Sequence, residues 1–266
     1  MSDTDTGTGP GGATERAQDR RGGPGHLVLL AVVFTVPVLK LAWTLGGSGA
    51  AGDALVAMEP GNWPDVLIGM LLSDPLLAAV LAVTASRTSY AYFAARGGAP
   101  SRPDVPLAHV AVTATVLPAT FGLILGAFHG WWWGTAVALG SLALRLGVIA
   151  EYRTGRRSRG DGRRVRTAAT TWQQRAADAA RVVALLLAGL VLPVLAVIDA
   201  LDGRAWTTVV ECDVNTGRGT GRDRLVELQR KGDGVVGWDI EGGQVVNGSN
   251  CGVLEDNAVR APWWNS

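Results

Sequence analysis

The stretch Leu71–Val83, "LLSDPLLAAVLAV", places a carboxylate, Asp74, and a helix breaker, Pro75, inside an apolar run long enough to cross a lipid bilayer. An unpaired Asp near the centre of a spanning helix costs roughly 2.5–3.5 kcal/mol. Something in the chain must offset that cost, or the run does not cross as a single straight helix.

The rest of the sequence supports the membrane reading. Apolar residues make up 48% of the 266 and the net charge is +1. Those totals also fit a soluble protein, so their distribution decides. Five stretches of about 17–21 residues carry at most one or two ionisable groups each: 27–46, 66–85, 107–127, 132–150 and 182–198. A hydrocarbon layer about 30 Å thick needs roughly 20 helical residues. A soluble chain this short has too little remaining sequence to cover five such surfaces. The expected fold is therefore an all-α multipass membrane protein of five helices with a small C-terminal antiparallel β module. Small residues at 46–52 would permit cleavage of the first segment near Ala50. Its length, with Pro37 and Lys40 inside it, instead predicts a retained span.

Arginines set the expected orientation. Segments 1–26, 86–106 and 151–181 hold three, three and nine of them, while 46–65 and 128–131 hold no Lys or Arg. Positive residues stay cytoplasmic, which predicts a plasma-membrane protein with its N-terminus inside and its C-terminus outside. The tryptophans Trp43, Trp63, Trp131, Trp132, Trp133 and Trp206 fall at the predicted outer boundaries, where indoles favour the headgroup layer.

Depth arithmetic suggests a partner for Asp74. At about 1.5 Å per residue, Lys40 lies about 20 Å and Asp74 about 16 Å from the inner boundary. A buried Lys40–Asp74 pair fixing the register of spans 1 and 2 is the leading expectation. Asp74 as a proton or cation site on a transport path is a second. As a third, "SDP" opens a half-helix, with Asp74 as its N-cap and Pro75 in its first turn. Pro37, Pro75, Pro118 and Pro193 all come out near the midplane, where each could kink its helix. Arg145, near the inner face, is expected to snorkel there. Small residues recur at four-residue spacing (Gly122, Gly126, Gly130; Gly134, Ala138; Ala143, Gly147), which predicts close helix packing within the chain, with a homodimer seam as the alternative.

Residues 1–25 have almost nothing to bury and are expected to be disordered. The loop 151–181 carries nine arginines against three acids, among them Arg153, Arg156, Arg157, Arg159, Arg163, Arg164 and Arg166. Such juxtamembrane clusters bind anionic lipid headgroups at about 1 kcal/mol per charge. Lipid is thus the expected partner and nucleic acid is not.

Beyond residue 200 the composition changes to short Val- and Thr-rich runs separated by glycine: 207–214, 224–230, 235–240, 244–247 and 252–256. In "VGWDI", Val236, Trp238 and Ile240 share one face. Four or five strands are expected. About sixty residues make a marginal core. The chain's two cysteines, Cys212 and Cys251, lie here; in an oxidising compartment a bond between them would close a loop of about forty residues, worth roughly 4 kcal/mol in the chain-entropy model. The loop "NTGRGTGRDR" (215–224) gathers Arg218, Arg222 and Arg224 among glycines but lacks the Lys-Ser/Thr and following helix of a phosphate loop.

No Ser/His/Asp, Cys/His or paired-carboxylate arrangement can be assembled, and no cofactor or metal set is expected. The surplus of Arg, Ala, Gly and Val matches a high-GC bacterial coding sequence, an association rather than a physical argument. The expected role is a membrane anchor holding a disulfide-stapled extracytoplasmic binding or assembly module. A small proton- or ion-coupled transporter using Asp74 and Lys40 is the alternative.

Overall fold

The computed structural model describes residues 24–101, 105–153, 171–215 and 220–265. The expectations for residues 1–23 and for Arg156, Arg157, Arg159, Arg163, Arg164 and Arg166 lie outside them. Helices come first in the chain: α1 (Pro24–Thr44), α2 (Ser48–Ala57), α3 (Glu59–Leu72), α4 (Pro75–Ala95), α5 (Leu107–His129) and α6 (Trp131–Arg153). Helix α7 (Thr171–Leu186) continues through a π turn at Leu187–Val191 into α8 (Leu192–Ala200). Four strands follow: β1 (Val209–Asn215), β2 (Thr220–Lys231), β3 (Gly234–Asp239) and β4 (Val245–Val253).

Four stretches are helical, long and apolar enough to cross a membrane: Leu27–Thr44, Ala108–His129, Trp131–Tyr152 and Thr171–Ala200. A fifth exists only if α3 and α4 count together, and those two are bent by 102°. The expected straight span 66–85 is thus replaced by a break at Ser73–Asp74. Pro75 has no N–H to donate to a preceding turn, and its ring drives residue 74 out of the helical region. Asp74 accordingly sits at φ −99°, ψ 120°, and its Oδ1 accepts a 2.7 Å hydrogen bond from the Leu77 N–H. Expected loop 46–65 is likewise mostly helical, forming α2 and the start of α3.

The long helices invert the usual arrangement of a water-soluble bundle. Only 22–39% of the residues in the four apolar windows are buried. Their exposed side chains include Leu27, Phe34 and Val38 on α1, Leu123 and Phe128 on α5, and Leu185, Leu190 and Ile198 on α7–α8. Facing inward are Lys40, Arg145, Glu151 and Asp199. Val32, Val36, Leu77, Leu192 and Ala196 pack α1, α4 and α8 together; Ala78, Ala82, Leu125 and Val137 do the same for α4, α5 and α6.

The four strands form a closed antiparallel barrel, β1 pairing with β2 and β4, and β3 completing the ring. Cys212 and Cys251 are joined in a disulfide across β1 and β4, with Cα atoms 4.2 Å apart. The barrel interior holds Val210, Cys212, Val214, Leu225 and Val235. The neighbouring residues Val209, Val226 and Trp238 point the other way, out of the barrel, yet are equally buried. They join Leu41 of α1, Leu45 just after it, Ala51 and Ala54 of α2, Met58, and Met70 of α3 in one core. Strands β1, β2 and β3 are therefore covered on both faces around these residues. Trp206 belongs to this core rather than to a lipid boundary. Lys231 on β2 also reaches Glu59 at 3.0 Å, and this hydrogen bond, with a second from Gln229, holds the Glu59 carboxyl below the usual carboxylate range.

The small-residue stripes are used within the chain. A Cβ on Gly134 would overlap the Gly122 carbonyl oxygen and the Gly126 backbone, whereas one on Gly126 would rest 3.7 Å from Gly134. Gly134→Ala is expected to destabilise the α5–α6 hairpin by about 1–3 kcal/mol, the range of overpacking, while Gly126→Ala leaves it nearly unchanged. Thermal unfolding in detergent compares the two; equal midpoints would contradict this packing.

Candidate functional site

Charge inside an apolar bundle is the chemistry this fold offers. One cluster lies where α1 and α8 end, beneath the barrel. The Lys40 side chain, 1% exposed, donates from Nζ to Asp199 Oδ1 at 2.9 Å and to the Asp199 carbonyl at 3.2 Å. Its third neighbour is Asp202 Oδ2 at 3.7 Å. Asp202 Oδ1 in turn accepts from the Arg204 N–H at 2.8 Å, turning the chain toward β1.

This corrects the expected Lys40–Asp74 pair. The break at Asp74 makes that residue the N-cap of α4 instead of a mid-helix group, so its Oδ1 is engaged by the Leu77 amide. Asp199 falls one residue past the predicted end of the last span, which is why depth arithmetic overlooked it. Its Oδ2 is buried without a hydrogen bond among the described residues. The cluster thus gathers one ammonium and two carboxylates, with the buried Asp199 Oδ2 left open to a proton.

The break also leaves carbonyls without helical donors. Ser73 Oγ donates to the Met70 carbonyl at 3.0 Å, and His129 Nε2, at the end of α5, lies 2.8 Å from the Leu72 carbonyl. A carbonyl only accepts, so the His129 proton is on Nε2 in this contact.

A second cluster sits toward the opposite end. Arg145 is 3% exposed and does not snorkel, correcting the sequence expectation. Its Nε donates to the Ser86 carbonyl at 3.1 Å, and Nη1 donates to the carbonyls of Thr113 and Ala114 at 3.1 and 3.2 Å. The guanidinium carbon lies 4.7 Å from the Tyr90 ring centroid. Proline explains the position. Pro118 has no N–H for the Ala114 carbonyl four residues earlier, and Arg145 supplies the missing donor. Nearby, Arg87 Nη2 lies 3.4 Å from Glu151 Oε1.

The four prolines differ in role. Pro37 and Pro118 lie inside continuous helices, Pro75 begins one, and Pro193 follows the π turn, where the wider backbone accommodates its ring. They do not act as one ring of midplane kinks. In the loop 215–224, Arg222 and Arg224 belong to β2; Arg222 pairs with Asp213 at 3.7 Å and Arg224 donates to the Ala258 carbonyl. Arg153 ends α6. Among the described residues, no group of three or more His, Cys, Asp or Glu is placed to hold a metal. The chain matches no protein-family model, no curated protein and no solved structure. Its own geometry has to carry the functional reading.

Two double-mutant experiments test these clusters. Removing one partner of a buried pair typically costs about 3–5 kcal/mol, while replacing both with apolar residues is often nearly neutral. Lys40→Met and Asp199→Leu are each expected to lower stability strongly, and the double variant to recover most of the loss. Independent effects that simply add would contradict the pair. Arg145→Leu should likewise destabilise, and Pro118→Ala should relieve part of the loss by returning a backbone donor to Ala114. The unfolding midpoints of the single and double variants measure that coupling.

Proposed function

We propose that this chain is an integral plasma-membrane protein that holds a disulfide-stapled barrel outside the cell as a rigid binding or assembly platform. The observation that carries the reading is the inverted bundle: apolar side chains outward, charged ones inward and paired. Exposed apolar area of this extent is unfavourable in water and favourable in hydrocarbon. The arginine distribution supports a cytoplasmic N-terminus and an exported barrel, the compartment in which the Cys212–Cys251 bond persists. A mount sharing its core with three helices supports a platform, because the barrel has no freedom to swing. The basic composition of 151–181 suits anionic lipid headgroups on the inner side.

A small proton- or ion-coupled transporter is the second reading. The buried Asp199 Oδ2 favours it, with Lys40 as its neighbour. Against it stands the tight hold of Lys40 on Asp199, which makes the cluster a fastener.

Reporter fusions at residue 160 and after residue 266 test the platform topology: cytoplasmic activity is expected from the first and exported activity from the second. A C-terminal fusion active in the cytoplasm would overturn it. Asp74→Asn and Asp199→Asn in proteoliposomes loaded with a pH-sensitive dye separate the two readings. The platform predicts unchanged proton permeability, and a flux lost in either variant would favour transport.

A further inference from the structure

Two tryptophans, Trp263 and Trp264, lie after the barrel strands and outside the buried cores. Both are about half exposed, at 48% and 51%, and their rings meet edge-on with centroids 6.1 Å apart. Elsewhere on the described part of the module, Val253 is the one other large apolar side chain that is well exposed.

Backbone contacts fix where this pair sits. The Trp263 N–H donates to the carbonyl of Leu201, the residue after α8, at 3.2 Å. Val259 and Arg260 N–H groups both donate to the Gly203 carbonyl at 2.9 and 3.0 Å. Gly203 has φ +73°, and a Cβ there would overlap the Arg260 carbonyl, so glycine is needed for the approach. The Arg260 guanidinium carbon lies 4.7 Å from the Trp43 ring centroid, and its Nη1 donates to the Trp43 carbonyl at the end of α1. The last turn of the chain is thereby tied to the ends of two apolar helices, not to the far side of the barrel.

Area discriminates between occupants. Two indoles bury at most about 500 Å² together, and these are already half buried, so what they still offer is well under the roughly 800 Å² each partner contributes to a stable protein interface. The same two rings suit the boundary of a bilayer, where the ring is buried and the N–H stays hydrated. Arg260 adds a positive charge at that level. This placement rests on the reading that α1 and α8 cross the membrane.

We propose that Trp263 and Trp264, with Arg260 beside them, are an outer-leaflet anchor that seats the barrel on the lipid headgroup layer. The C-terminus is then a membrane contact more than sixty residues beyond the last span.

The full chain in nanodiscs tests this, using lipids brominated near the carbonyl end of their acyl chains as quenchers. Emission of the Trp263→Phe/Trp264→Phe variant is subtracted from that of the unmodified protein. A blue-shifted difference emission that is mostly lost in brominated lipid is expected. A water-like, unquenched difference, or a blue-shifted but unquenched one, would overturn the anchor in favour of solvent or protein contact. The variant Trp131→Phe/Trp132→Phe is treated identically, because these exposed indoles open α6 within a candidate span. If their emission is quenched and that of Trp263–Trp264 is not, the anchor fails alone. If neither pair is quenched, both the anchor and the spanning orientation fail.

Discussion

An ammonium group with almost no exposure, Lys40, can exist in an apolar bundle only if its charge and donors are met by the chain itself. Asp199 does both, through its carboxylate and its main-chain oxygen. The consequence is topological as well as energetic. The pair fastens the end of α1 to the end of α8, three residues before the chain turns into the barrel through Asp202 and Arg204. The placement of the strands follows from that fastening, because Leu41 and Leu45, one and five residues past Lys40, floor the core on which Val209, Val226 and Trp238 rest.

The same requirement organises the other helices. At two of the prolines, Pro75 and Pro118, a side chain supplies or accepts what the backbone lost. Asp74 caps α4, His129 and Ser73 serve the carbonyls left at the end of α3, and Arg145 serves the carbonyl that Pro118 deprives. In water, solvent would do this work for about the same free energy. In a surrounding without water each such group costs several kcal/mol, so polar side chains stand at these two breaks.

Much of this was legible in the sequence, and the omissions have physical causes. Apolar run lengths located four of the candidate spans, since length and hydropathy alone define them. Period-two patterns and glycine spacing located the β module, and the two cysteines their bond. Asp74 was recognised as anomalous, and the half-helix opening was among its readings. Its preferred partner was wrong because the depth estimate assumed a straight helix through residues 73–74. Arg145 was misread because its partners are carbonyls, which every residue carries and no composition reveals; Pro118, twenty-seven positions away, was the available clue. Consecutive apolar pairs, Val209–Val210, Leu225–Val226 and Val235–Val236, were visible evidence that these strands are covered on two sides. A half-buried strand shows alternation, and these doublets violate it.

Two-sided coverage has a consequence for biogenesis. A barrel closed by pairing β1 with β4 is completed only once β4 has been synthesised, and half of its floor was laid down far earlier, by residues 41–70. The helices therefore act as a template waiting for the strands. Produced without them, the C-terminal quarter would display Val209, Val226 and Trp238 as a sticky sheet face, and its preferred fate would be aggregation with copies of itself.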